Sequence, residues 1–142
     1  MAITLRRFLV VQLLLVWQGG FLFYAAVVVP TGTKLIGTAG QGAITARVTD
    51  ALNAVGAVAL AVLALELCRS RGRWACWGFA VMCHALLLAL HARLDVLMAD
   101  HTSAEFYNLH RFYLLTSTAQ WLACLLLTWL TLRAWRTADG EP

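Results

Sequence analysis

His84, Leu88, His91 and Asp95 follow one another at steps of four, three and four residues, the spacing of a single stripe along a helix. Two imidazoles and a carboxylate on one stripe can do chemistry. His91 and Asp95, at i and i+4, have the separation at which two side chains share a cation, and His110 with Asp50 could close the set. A metal ion held by His91, Asp95 and His110 is therefore one reading, although no H-E-x-x-H pattern accompanies it. Haem is disfavoured: two axial histidines would have to face each other at one level, and only His91 with His110 offers that. A Ser-His-Asp triad would need an activated serine, but Ser117 lies in an apolar run with no nucleophile elbow around it. Catalysis is not expected. The candidate binding residues are Asp50, His84, His91, Asp95 and His110, with Gln18 and Arg93 beside them.

The elements that must carry these residues follow from composition. The chain has 142 residues, enough for one domain; 61% are hydrophobic and 13% charged, and the mean hydropathy is +0.75. Soluble domains are nearer 45–50% apolar and about 25% charged. So few charges exclude a soluble enzyme, a disordered region and a nucleic-acid binder. The net charge of +4 comes from basic residues set between apolar runs, which reads as membrane orientation. The expected partner is the lipid bilayer, with no nucleic acid.

A membrane-crossing helix takes about 20 mostly apolar residues. Four windows qualify, at about 8–30, 48–68, 74–99 and 112–132, and they predict an all-α, integral membrane, up-down four-helix bundle. The glycines and small polar residues of 31–46 read as a loop, 68–73 as a tight basic turn, and 100–111 as a short polar connector. Arg6 and Arg7 before an apolar run resemble a signal peptide, but no small-x-small site follows, so the first segment is expected to be a retained helix. Cys68, Cys76, Cys83 and Cys124 form no C-x-x-C pair and read as buried thiols.

Basic residues orient the spans. Arg6, Arg7, Arg69, Arg71, Arg73, Arg133 and Arg136 fall on one side, and Lys34, Arg47, Arg93 and Arg111 on the other. The seven-to-four excess predicts a cell (inner) membrane protein with both termini cytoplasmic. Trp74, Trp77, Trp129 and Trp135 then mark one interface.

So oriented, most polar residues near the spans fall in the outer half of the bundle. Arg47, Asp50 and Asn53 occupy the outer end of the second helix, and His110, Ser117 and Trp121 one side of the fourth. Each ionisable group near the bilayer centre costs about 2.5–3.5 kcal/mol on insertion scales, so they should face inward and pair. Asp50 with Arg93 and Arg47 with Asp95 are the expected pairs. His84 sits roughly 15 Å along its helix and needs a hydrogen-bond partner, Gln18 or Ser117. Two readings stand: the cluster binds or helps transport a small solute or cation, or it only fixes helix packing in an accessory subunit. Small residues such as Gly19, Gly20 and Ala25, with Ala54, Ala57 and Ala61, suit close helix approach. A homo-oligomer or a larger membrane-protein complex is expected.

The run Trp17-Gln18-Gly19-Gly20-Phe21-Leu22-Phe23-Tyr24, with Val28-Val29-Pro30, resembles the first helix of small membrane proteins related to transmembrane protein 205 (domain of unknown function 4149). His91-Ala92-Arg93 is similar to that family's N-A-R segment, and Phe106 to His110 to its aromatic-x-x-x-His segment. Arg111 stands where the family has glycine, and Tyr113, Thr116 and Ser117 replace a serine-rich turn and an asparagine. The resemblance implies a four-helix membrane bundle with links to solute handling or metal-drug tolerance. It implies no catalytic residue.

Overall fold

The computed structural model describes residues 2–67, 70–98, 102–138 and 140. The described residues are all-α: α1 (Ala2–Phe23), a π-helical turn (Tyr24–Val28), α2 (Val29–Ala64), α3 (Arg71–Leu97) and α4 (Ala104–Ala138). Three stretches are long and apolar enough to cross a membrane: Ile3–Ala64, Arg71–Leu97 and Ala104–Ala138. The chain divides into two compact units, Met1–Leu63 and Ala64–Pro142.

The first unit is a helical hairpin turned on a single residue. Gly37 alone leaves helical geometry inside α2, with φ 75° and ψ 172°, a combination open essentially to glycine only. Contacts on either side run antiparallel: Gly56 lies against Trp17, Gly20 against Leu52, and the Tyr24 hydroxyl donates to Thr45 Oγ1 at 2.9 Å. The loop expected over 31–46 is therefore helix on both sides of Gly37. One glycine suffices for the reversal, and continued helix keeps the remaining backbone groups paired. Gly32, Gly40 and Gly42 stay helical; a Cβ at Gly32 would overlap the Gln41 amide.

Pro30 does not end the first helix either. Having no N–H, it cannot bond the carbonyl four residues back, and its ring would press on that carbonyl. The chain answers with the wider π turn just before it, in which the Val29 N–H reaches the Tyr24 carbonyl. Val10, Leu14 and Trp17 are buried on one arm, and Ala59, Leu60 and Leu63 on the other. Gly56 lets the arms close there, since a Cβ would stand 2.6 Å from the Trp17 ring.

The second unit pairs α3 with α4. Ala80, Cys83, Leu87, Leu90 and Leu94 are buried on α3, and Ser117, Gln120, Cys124, Leu127 and Thr131 on α4. Both sets alternate steps of three and four, the seam of a coiled coil. The pairing is antiparallel, with Cys76 Sγ donating to the Ala123 carbonyl at 3.2 Å and Arg93 reaching Glu105 at 3.1 Å.

The connector expected over 100–111 is helical from Ala104 onward. Ser103 supplies the reason: its Oγ accepts the Phe106 N–H at 3.2 Å, capping the helix start. At the other junction α2 ends at Ala64, before the boundary expected at 68. Cys68, Arg69 and Asp100 lie outside the described residues. Apolar side chains that miss these seams point outward, among them Leu15, Leu22, Met82, Leu122 and Trp129.

Candidate functional site

The candidate residues divide between the two units. Gln18, buried, and Asp50, exposed, belong to the first; His84, His91, Arg93, Asp95 and His110 belong to the second.

Within the second unit the α3 stripe separates by depth. His84 is 6% exposed. Its Nδ1 stands 3.0 Å from Gln120 Nε2, which also bonds the Ala80 carbonyl at 3.3 Å. A carbonyl only accepts, so the Gln120 atom is the amide NH2 and donates in both directions. His84 then accepts at Nδ1 and carries its proton at Nε2. Within this unit Gln120, not Ser117, supplies the hydrogen-bond partner that His84 was expected to need. Ser117 instead donates to the Tyr113 carbonyl at 2.9 Å, the common fate of a helical serine. Gln120 could have been found in the sequence: with Ser117 and Cys124 it marks steps of three and four in an otherwise apolar helix.

Nearer the end of α3 the side chains are wetter. His91 Nε2 lies 3.7 Å from Asp95 Oδ2, with side-chain exposures of 14% and 50%. The His91 ring stands 6.3 Å from Tyr113, tilted by 44°. Within this unit Arg93 pairs with Glu105. Glu105 lies in the first turn of α4, where an acid is also favoured by the helix dipole. His110 is exposed and stacks on Phe106 of its own helix, with ring centroids 5.9 Å apart and planes 5° from parallel. No group of three or more His, Cys, Asp or Glu side chains among the described residues is placed to hold a metal ion. His91, Asp95 and His110 thus do not form the ligand set their spacing suggested.

Among the described residues, the most buried charged side chains lie at the opposite end of the α3–α4 pair. Glu66 and Arg73 are only 4% and 7% exposed. Glu66 Oε2 accepts the Trp135 indole N–H at 3.1 Å, and Arg73 Nη1 donates to the Glu66 carbonyl at 3.3 Å. Sequence reasoning placed Glu66 in a span and Arg73 in a basic turn without joining them. The signal was an acid in an apolar run, a few residues before the basic turn.

The first unit carries its own polar knot beside the turn. Gln41, 3% exposed, donates through Nε2 to the Tyr24 hydroxyl at 3.0 Å and to Thr45 Oγ1 at 3.3 Å. Thr45 Oγ1 in turn donates to the Gln41 carbonyl at 2.8 Å. This closed set joins the two arms. No family model, curated protein or solved structure matches the chain.

Proposed function

We propose that this chain is an integral membrane protein that crosses the bilayer four times and serves as an accessory or structural subunit of a membrane assembly, its polar side chains acting as staples between helices. One observation carries the reading. His84, the deepest candidate, is held by Gln120 across the α3–α4 seam, and no ligand-like group of three forms among the described residues. In hydrocarbon such a bond is worth about 0.6–2 kcal/mol and fixes helix register. The outward apolar side chains are then lipid-facing or partner-facing. The arginine excess at 69–73 and 133–136 supports cytoplasmic termini in a cell membrane. Kinship with the small proteins related to transmembrane protein 205 belongs to the proposal and rests on the short motifs alone.

A second reading keeps the small solute or cation, taken up at the half-exposed His91–Asp95 pair beside Tyr113. Purification in mild detergent separates the two. A stoichiometric larger partner supports the subunit. A homo-oligomer whose thermal shift with a solute or divalent cation is lost in His91→Gln supports the second reading. Cysteines introduced at Thr38 and Ser103 should label only from the non-cytoplasmic side; labelling only from the cytoplasm overturns the orientation.

A further inference from the structure

The two faces of α1 differ in use. Val10, Leu14 and Trp17 are buried on the side that meets the second arm at Gly56. On the opposite side Leu5, Leu9, Gln12, Val16, Gly19 and Phe23 follow one another at alternating steps of four and three, and all six are exposed. That alternation is the seam of a coiled coil, as between α3 and α4. Two of its members are out of place against lipid tails. Gln12 lies one turn inside the apolar window that starts at Phe8, about 6 Å deep, and its amide makes no hydrogen bond among the described residues. An amide carried into hydrocarbon without a partner is costly. Gly19 stands at the midpoint of the same window. A Cβ there would meet nothing within 4 Å, and glycine weakens a helix relative to alanine. The hairpin itself has no use for the missing side chain. A second helix packing backbone against backbone does.

We propose that this outward face of α1 is the interface of a parallel homodimer, in which the two Gln12 amides bond each other and the helices cross at Gly19. The glutamine identifies the occupant as a second copy. Copies inserted in one orientation present α1 to α1 in parallel, and a two-fold axis sets each residue beside its own counterpart at equal depth. A side-chain amide carries both donor and acceptor, so Gln12 satisfies its counterpart through two reciprocal bonds. Leu5, Leu9, Val16 and Phe23 are apolar and ask only for a matching apolar seam. The proposal rests on the membrane reading given above and makes a second copy one partner in the assembly.

The test measures self-association of the full-length chain in neutral detergent, by energy transfer between copies carrying different fluorescent tags at the C-terminus. Gln12→Leu should raise the dimer dissociation constant about tenfold, the loss expected for interhelical hydrogen bonds in a membrane. Gly19→Leu should raise it at least as much, because the added side chain holds the backbones apart. Gly78→Leu fills similar open space on α3 and should leave association unchanged. Gln12 and Gly19 face outward, so both variants should fold, and circular dichroism checks this. In membranes, Val16→Cys should form a disulfide with its counterpart on mild oxidation, whereas Leu13→Cys, off the seam, should not. The wild-type chain supplies the background of the four native cysteines, all in the second unit. Chains that stay monomeric in membranes, wild-type association in both α1 variants, or an equal loss in Gly78→Leu overturn the proposal. Capture of a different protein at Val16→Cys, in place of a second copy, also overturns it and favours the larger partner. A dimer found with no larger partner keeps this interface and removes only the larger assembly. Failure of membrane integration would appear separately, as extraction of the chain from membranes by alkaline carbonate.

Discussion

The two units hold their helices together by different physics. In Met1–Leu63 the arms close where a ring meets a glycine, Trp17 on Gly56, and hydrogen bonds gather beside the turn around Gln41. In Ala64–Pro142 the seam itself is polar: His84, Ser117, Gln120 and Thr131 are buried along it, and the His84–Gln120 bond crosses it. Lipid tails are as apolar as leucine, so helices in a bilayer are not driven together by hydrophobicity. Close packing on small residues and interhelical hydrogen bonds are the two remaining devices. The first unit combines packing on Gly56 with the hydrogen bonds beside its turn, whereas the second places its hydrogen bond within the seam. The first tolerates little change of volume, and the second little change of polarity.

Gly56→Ala should have the largest effect. Its Cβ would stand 2.6–2.8 Å from three atoms of the Trp17 ring, which must move against packed neighbours. A loss of about 3 kcal/mol, the upper part of the overpacking range, is expected in denaturant titration of the purified protein. Trp17→Leu in the Gly56→Ala background should recover part of it. No loss in the single variant would mean that ring-on-glycine packing does not close this hairpin. Gly37→Ala comes next, at about 2 kcal/mol, because an alanine cannot rest at φ 75° and ψ 172°. Gly40→Ala, in helical backbone where the added Cβ meets only Ile36 at 3.4 Å or beyond, should be neutral or stabilising. Equal effects at 37 and 40 would refute a turn at Gly37.

These residues also show how far the sequence could be read. The apolar windows were visible because lipid-length runs leave a compositional mark that no tertiary contact has to complete. The turn was not, because four glycines lie between 32 and 42 and only the backbone reveals that one carries the reversal. Pro30 looked like a helix end because the π turn that accommodates it has no residue signature. The need of His84 for a hydrogen-bond partner followed from its place in an apolar run, but which partner meets it depends on the antiparallel register of α3 and α4. The same register decides that Arg93 meets Glu105.

Gln120→Leu sharpens the polar side of the comparison. It removes the donor from a buried imidazole, and an unsatisfied group of that kind costs about 1–3 kcal/mol. The lower half of the range is expected, since helices in lipid find substitute partners. All four cysteines of the chain lie in the second unit, and Cys124 is fully buried. Maleimide labelling of Cys124 therefore reports the opening of this unit, and the variant should label several-fold faster. Replacing His84 as well, by leucine, should restore slow labelling because no polar group is then stranded. If the double variant opens faster than the single one, the seam needs this bond for more than satisfaction of its own partners.

The smallest effect should come from Arg93 and Glu105. Their groups approach to 3.1 Å, a distance that would signify a strong bond in a dry site, but the side chains remain 58% and 60% exposed. Exposed pairs couple by about 0.2–1 kcal/mol, because water already solvates both charges and two long side chains lose freedom on pairing. A double-mutant cycle with Arg93→Gln and Glu105→Gln should fall within that range. Its coupling should fade between about 0.1 M and 1 M salt, as the screening length drops from about 10 Å to about 3 Å. The same cycle on His84 and Gln120 should not respond to salt, since neither partner needs to be charged. A salt-insensitive coupling above about 1 kcal/mol at Arg93 and Glu105 would mean that this end is shielded from water. The His91–Asp95 pair, whose members flank Arg93 at two residues on either side along α3, would then share a protected site, and the solute-binding reading would displace the subunit.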